Sequence, residues 1–361
     1  MDELKGYRES ISDIDKKMAV LFEERMKSCK KIAEYKQKNG LSIRDTKRED
    51  ELIAANKALI EDDEIRPFYV SFLKNNINLS CSYQQMLTQG MRVAYSGVEG
   101  AFAYIAAKKM FPQSQLVSFG DFYEAYKSVE SGDSDCAVLP IENSLAGEVG
   151  TVMDLMYSGT LYVNQIYDLP VSHHLLAATG AKLEDIKTVI SHPQALNQCG
   201  KYIKKHGLNA ESAENTAVAA KLIAERGDKT IGAIASEDTA ELYGLDVLDH
   251  DIQDSGINST RFAVFSRSLN THDNNIKYEN ESFILVFTVK NEAGALAATL
   301  NIIGAHGYNM RSLKSRPMKD LQWNYYFYIE VEGNINTQNG KDMLQELSAL
   351  CAGLKLVGTY H

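Results

Sequence analysis

Asn258-Ser259-Thr260-Arg261-Phe262, with Asp254 shortly before it, gathers an amide, hydroxyls and a guanidinium where a polar turn runs into an apolar strand. Arginine is the side chain best shaped to grip a carboxylate with two parallel hydrogen bonds. A threonine beside it can hold or donate to a leaving oxygen. The same residues also fit a capped turn ahead of an ordinary strand. Other polar clusters follow apolar strands in the same way. Pro140-Ile141-Glu142-Asn143-Ser144 is one, and Ser191-His192-Pro193-Gln194, opening a helix that carries Gln198, is another. Thr216 reads as the cap of an alanine-rich helix. Strand ends are where the clefts of α/β domains lie. Singly each cluster reads as a cap or turn; their appearance together, in order, points to a site. His173 and His174 invite a general-acid or metal reading, but no third ligand has suitable spacing, and a structural role is expected.

A second constellation is cationic. Leu4, Tyr7, Ile11, Ile14, Met18, Leu21, Ser28, Ile32 and Tyr35 follow a heptad-like spacing, and Arg25 stands in the same seam. An isolated arginine there could snorkel out to solvent. Lys36, however, lies only about 20° away around the helix, so both cations project from nearly one face. Asp45, Arg48 and Glu49 follow on a second helix, and Ser80 and Gln84 share one face of a third at i, i+4. Arg8 is roughly 25 Å up the axis from Arg25, beyond reach of the same small ligand within one chain. An antiparallel partner helix would bring its own Arg8 in, which predicts a dimer with shared sites.

The elements that position these groups fall into three textures. At 361 residues the chain exceeds one simple core, and its 44% hydrophobic and 24% charged content is that of a globular protein. No apolar run approaches the roughly 20 residues needed to span a bilayer. The charged start, Met1-Asp2-Glu3-Leu4-Lys5, leads straight into a helical pattern and does not read as a signal peptide. The five cysteines, Cys29, Cys81, Cys136, Cys199 and Cys351, are scattered and fit free thiols in a reducing cytoplasm without a zinc site. A formal charge of −10 disfavours nucleic acid or an anionic membrane as the main partner.

Residues 1 to about 39 predict one helix ending at Asn39-Gly40, a second follows Asp45, and a third runs from near Asp62 to about Thr88. A first helix about 55 Å long cannot be covered by two shorter ones and should pack against a second chain. From Met91 to about Ser268, strands and helices alternate. The long return segment Tyr162 to Ala178 predicts two lobes joined by strands, with a ligand cleft between them. Gly97-Val98-Glu99-Gly100 lacks the pattern of a phosphate loop, and no dinucleotide fingerprint appears, so no cofactor is expected. Residues 270–281 read as a polar linker. After it come strands near Phe283 to Val289, Asn309 to Arg316, Trp323 to Val331 and Leu354 to Gly358. Helices at Leu296 to Ala305 and Gln338 to Leu350 complete the order β-α-β-β-α-β of the ferredoxin-like plan.

With these residues in place, Leu4 to Leu87 resembles the all-helical chorismate mutase family. The motif maps onto Arg8, Ile11 to Asp15, Arg25, Lys36, Asp45, Arg48, Glu49, Ser80 and Gln84. The resemblance implies a pericyclic rearrangement of chorismate, a dianion, to prephenate. Arginines would hold two carboxylates, with Lys36 and Gln84 on the ether oxygen.

Met91 to about Ser268 resembles the prephenate dehydratase domain. The match includes Gly147, Thr151, Asp154, Leu169-Pro170-Val171-Ser172-His173, Thr216-Ala217 and Thr260-Arg261-Phe262. It implies loss of CO2 and water from prephenate to give phenylpyruvate, driven by aromatisation. Threonine is too weak an acid to hand over a free proton, so Thr260 is expected to donate a hydrogen bond to the leaving hydroxyl. Asn143, Ser191 and Gln198 would line the pocket. Glu142 could be an acid or an orienting group, and Arg261 could grip a carboxylate or brace the turn.

The C-terminal segment is similar to the ACT regulatory domain, which implies dimerisation and amino-acid binding, here phenylalanine. Gly294, Ala295 and Leu296 at a helix N-terminus and Ser315, Arg316 and Pro317 are its landmarks. Lys314 stands where phenylalanine-sensing members usually carry Glu. The domains expected are thus a helical mutase module (1–90), a two-lobed, periplasmic-binding-protein-like dehydratase (91–269), a linker (270–281) and an α+β ACT domain (282–361). A non-catalytic sensor of small molecules, or an enzyme with only one of the two activities, is the alternative.

Overall fold

The computed structural model describes residues 2–269, 281–318 and 324–361. The chain folds as two units, Met1–Arg92 with Gln113–Gln115, and Val93–Pro112 with Leu116–His361. The expected linker, apart from Glu281, lies outside the described residues, as does Trp323 at the start of an expected strand.

The first unit holds α1 (Asp2–Lys38), α2 (Thr46–Lys57) and α3 (Arg66–Gln89). Gly40 ends α1 in the left-handed region at φ 63°, and the Asp45 carboxylate accepts from Arg48 N at 3.1 Å to cap α2. Pro67 sits in the first turn of α3, where its missing N–H costs nothing. Leu73, Ile77 and Cys81 of α3 form a small core with Ile43, Leu52, Ile53 and Tyr69. That core leaves the front of α1 uncovered. Leu4, Tyr7, Ile11, Ile14, Met18 and Leu21 remain 42–63% exposed.

The second unit opens with β1 (Arg92–Ser96), α4 (Phe102–Met110), β2 (Gln115–Phe119), α5 (Phe122–Ser131), β3 (Cys136–Asn143), β4 (Gly147–Glu148), α6 (Gly150–Ser158) and β5 (Tyr162–Pro170). The chain then crosses to a second lobe. It holds β6 (His174–Ala177), β7 (Thr188–Ser191), α7 (Pro193–Gln198), α8 (Gly200–Lys205), β8 (Asn209–Ser212), α9 (Thr216–Arg226), β9 (Ile231–Ala235), α10 (Glu237–Tyr243) and β10 (Asp246–Asp249). It returns through β11 (Ser259–Ser266), the strand that carries Thr260. The C-terminal module follows as β12 (Ser282–Thr288), α11 (Ala295–Ala305), β13 (Asn309–Pro317), β14 (Tyr325–Glu332), α12 (Gln338–Leu350) and β15 (Gly353–Tyr360).

Two lobes joined by two crossings are what the long return segment predicted. The second lobe has its own sheet, β10-β6-β9-β7-β8. α4 starts at Phe102, after Gly100 turns at φ 86° and packs so tightly that an added Cβ would lie 3.1 Å from Leu242. β6 starts only at His174, since the preceding residues make the crossing. Asn215, not Thr216, caps α9, accepting from Val218 N at 2.8 Å. No described helix is long and apolar enough to cross a membrane.

One feature lay outside the sequence reading. The C-terminal sheet does not stand apart: β15 pairs in parallel with β5 at Gly358 and Val163, giving the continuous order β13-β14-β12-β15-β5-β11-β3-β1-β2. The cores merge as well, with Ile284, Val286, Tyr326, Tyr328 and Tyr360 packed among Leu139, Met153, Met156 and Phe265. A Cβ at residue 358 would stand 1.9 Å from the Val163 carbonyl oxygen. Gly358→Ala is therefore expected to destabilise this unit by about 1–3 kcal/mol, read as a lower midpoint in urea. An unchanged midpoint would mean that the junction yields without cost.

Candidate active sites

In the helical unit a cavity of about 270 Å³ is walled by Arg25, Lys36, Asp45, Arg48, Glu49, Ser80 and Gln84, with Cys29, Ile32, Ile43, Leu52, Ile77 and Cys81. Every polar residue expected at this site from α1, α2 and α3 lines it, except Arg8. Arg25 donates to the Ser80 hydroxyl and to the Asn76 carbonyl at 3.1 Å, which aims its guanidinium at the α3 face. Lys36 is anchored on the Ile43 carbonyl. Gln84 is buried, with its Nε2 donating to Ser80 O at 3.1 Å. Glu49 takes a weak hydrogen bond from the Cys81 thiol at 3.7 Å. Burial, reinforced by Glu49, pushes that thiol's pKa up, so Cys81 is a wall and not a nucleophile. The cavity thus offers fixed cations and amide groups with no covalent catalyst. Arg8 stays on the exposed part of α1. Of the apolar liners, Ile32 already stood in the seam of α1; Cys29, Ile77 and Cys81 lie on the buried faces of α1 and α3, Leu52 on α2 and Ile43 in the connection before it.

Between the two lobes of the second unit lies a cavity of about 300 Å³. Thr260 and Asn143 enter it side by side because β11 and β3 are antiparallel and pair these two residues. Asn143 Nδ2 shares its two hydrogens among three acceptors, Thr260 Oγ1 at 3.0 Å, Asn258 Oδ1 at 2.8 Å and Ser259 O at 3.1 Å. Its own Oδ1 accepts from Leu145 N and Ala146 N at 3.0 and 2.9 Å. The network continues into the second lobe, where Gln198 Oε1 accepts from Asn258 Nδ2 at 3.3 Å and from His173 Nε2 at 2.8 Å. Thr260 is thereby held as an acceptor from Asn143, leaving its own O–H to donate into the cavity.

His173 is 2% exposed, and burial lowers its pKa despite the hydrogen bond to Gln198. A neutral ring with the proton on Nε2 is the state this network requires. Among the described residues no group of three or more His, Cys, Asp or Glu could hold a metal ion. His192, Gln194, Asn215 and Glu148 also wall the cavity. His192 and Gln194 belong to the strand-end cluster Ser191-His192-Pro193-Gln194 singled out in the sequence, and Asn215 precedes Thr216.

Three expected site residues lie elsewhere. Ser191 is fully buried behind the wall, donating to Ile234 O at 2.6 Å, so its role is to lock β7 to β9. Glu142 and Arg261 pair across β3 and β11 one residue from Asn143 and Thr260, so strand alternation turns them to the opposite face. There Arg261 meets Glu330 of β14 at 2.8 and 3.0 Å, Asp168 at 3.4 Å and Glu142 at 3.6 Å. Of the two roles left open for Arg261, bracing the turn is the one this geometry serves.

Glu330 is 2% exposed and also accepts from the hydroxyls of Tyr328 and Tyr360 at 2.5 and 3.1 Å. Burial raises its pKa, but Arg261 and the two tyrosines outweigh burial and hold it below the ordinary value near 4.5. A depressed carboxylate pKa contributes stability above about pH 4.5 that is lost as pH falls through the lower folded value. Glu330→Gln is expected to destabilise the protein by roughly 1–3 kcal/mol at pH 7. The gap from wild type should close as urea titrations move below pH 4. A gap independent of pH would show that the charge of Glu330 is not what matters.

In the C-terminal module Gly294 caps α11 at φ 85°, followed by Ala295 and Leu296. Ser315, Arg316 and Pro317 end the edge strand β13, whose residues alternate between exposed and half-buried. Lys314 and Arg316 occupy the half-buried face and reach the framework of the cavity between the lobes. Lys314 Nζ lies 2.6 Å from Glu142, and Arg316 lies 3.1 Å from Asp154 and 3.6 Å from Glu148. The unusual Lys314 therefore has a partner in Glu142.

Comparison with known proteins gives three family matches in order: chorismate mutase type II over residues 7–85, prephenate dehydratase over 93–270 and the ACT domain over 283–349. The bifunctional chorismate mutase/prephenate dehydratase of Enterobacter agglomerans is 31% identical over 99% of this chain and 95% of its own length. Prephenate dehydratase from Arthrobacter aurescens, solved in complex with L-Phe, is 25% identical, with a TM-score of 0.68 over 75% of this chain and 89% of its own. GqqA, described as a novel type of quorum quenching acylase, is 30% identical, with a TM-score of 0.68 over 74% of this chain and 97% of its own.

Proposed function

The chain belongs to the bifunctional chorismate mutase/prephenate dehydratase family, and on that premise we propose a two-step enzyme of phenylalanine biosynthesis, working in the cytoplasm. Its modules would be 1–90, 91–269 and 282–361. The helical cavity rearranges chorismate to prephenate. Arg25, with Arg48 and Arg8 of a second copy, holds the two carboxylates. Lys36 and Gln84 meet the ether oxygen as its bond to the ring breaks and carbon–carbon bonding takes over. Nothing covalent or acidic is needed, because the reaction is pericyclic and the cost lies in folding a dianion and steadying developing charge. The exposed seam of α1, from Leu4 to Leu21, supports an antiparallel homodimer in which each site is completed by its partner.

At the second cavity, the carboxylate on the prephenate ring leaves as CO2. Its bonding electrons enter the ring, and the ring hydroxyl departs as hydroxide. Aromatisation drives the sequence, so the enzyme's task is to stabilise the departing oxygen. The observation that supports this reading is the Asn143 Nδ2 to Thr260 Oγ1 hydrogen bond, which leaves the threonine's own O–H to donate toward a substrate. Asn143, Asn258, Gln198 and neutral His173 hold that donor in place.

An acylase would need a nucleophile beside a base. No serine or cysteine is among the described residues walling this cavity, and Thr260 rests on an amide instead of an imidazole. Phenylalanine is the effector we assign to the ACT module, at Gly294, Ala295, Leu296, Ser315, Arg316 and Pro317. The test is to supply purified protein with chorismate and follow phenylpyruvate with and without phenylalanine. Product formation that phenylalanine alters supports the reading. Absence of product from both chorismate and prephenate removes it.

A further inference from the structure

The cavity proposed for prephenate has no lysine or arginine among its described wall residues, and its one charged wall residue is Glu148. That is a poor host for a dianion. Around it the same domain adds Glu142, Asp154 and Asp168, with Arg261 as the cation between Glu142 and Asp168. Arg261 is further engaged by buried Glu330. The missing positive charge comes from one strand of the C-terminal module. Lys314 meets Glu142 at 2.6 Å, and Arg316 meets Asp154 at 3.1 Å and Glu148 at 3.6 Å. The two side chains are 16% and 21% exposed, and Glu142 is 29% exposed, so removing Lys314 would leave a carboxylate that water and salt can reach.

We propose that Lys314 is a positioning residue of the dehydratase: it neutralises Glu142, beside Asn143, so that the cavity can accept a doubly negative substrate. Lys314 acts through Glu142 and does not touch the substrate. Arg316 does the same for Glu148 at the wall itself. The strand that carries the effector landmark thus sets the charge of the active cavity, and a displacement of β13 would be felt there as a change in affinity for anions. The lysine at this position, noted from sequence only as a departure from the usual Glu, is a counter-ion for the catalytic domain. This inference rests on prephenate being the substrate.

The test compares Lys314→Gln and Lys314→Arg with wild type in the full-length protein, using prephenate at low and at about 0.5 M KCl. Lys314→Gln is expected to raise KM for prephenate roughly tenfold at low salt, with kcat within about twofold of wild type. High salt should shrink the KM ratio toward one, because it screens the uncovered Glu142. Lys314→Arg should restore KM, and mutase kinetics on chorismate should be unchanged in both variants. A KM that does not rise, a loss confined to kcat, or a rise that salt leaves intact would overturn the inference. Wild-type protein that neither binds nor consumes prephenate would instead overturn the functional reading, and the inference with it.

Discussion

Thr260→Ala is expected to lower kcat for prephenate by about 10²- to 10³-fold while leaving KM within a few-fold, the usual loss for one pre-aimed donor to a departing oxyanion. The geometry explains why the loss falls on turnover. Thr260 Oγ1 already accepts from Asn143, so its own hydrogen is left to donate into the cavity, where the proposed reaction would use it most as the C–O bond breaks. Thr260→Ser keeps the hydroxyl and should recover much of the rate. Thr260→Val keeps the shape and should not. Steady-state kinetics on prephenate, with mutase activity of the same preparations as the folding control, would decide the matter. A Thr260→Val protein with wild-type kcat would remove the threonine from the mechanism.

The second large effect belongs to the helical unit. Arg25→Ala and Arg8→Ala should each reduce mutase kcat/KM by about two to three orders of magnitude, the scale of losing one partner of a desolvated charge pair. Yet the two arginines stand far apart on α1, and only Arg25 lines the cavity. In a two-fold dimer with shared sites, mixed chains form heterodimers in which one site carries both arginines and the other neither. Refolding the two inactive proteins together should therefore return about a quarter of wild-type activity. Mixed dimers that form and stay inactive would refute the shared site.

Much of this molecule was legible because the signals are periodic. The stripe from Leu4 to Tyr35 set the length of α1 and put Arg25 and Lys36 on one face; the observed cavity uses both. The β-α-β-β-α-β order of the C-terminal module was likewise written in its apolar runs. What could not be read was side-chain direction at strand ends. Thr260 and Arg261 are neighbours in the sequence with opposite fates, one facing the cavity and the other facing β14. Period two says that they diverge, but not which of them turns inward. That follows from the pairing of Thr260 with Asn143, which no local pattern reveals.

The partner of Arg261 was equally hidden, since Glu330 is remote in sequence and reaches it through the merging of two sheets. Ser191 shows the converse. Its place at a strand end ahead of His192 resembles that of Asn143, but its hydroxyl is spent on Ile234 inside the second lobe. Lys314 could only be noted as unusual until Glu142 was found opposite it.

One chain carries two successive active centres, the first making the substrate of the second. The most direct measurement is a time course of Thr260→Ala supplied with chorismate, with chorismate, prephenate and phenylpyruvate resolved by chromatography at neutral pH. Chorismate is expected to disappear at the wild-type rate, with prephenate accumulating in its place. Phenylpyruvate forming as fast as in wild type, or chorismate left unconsumed, would contradict it.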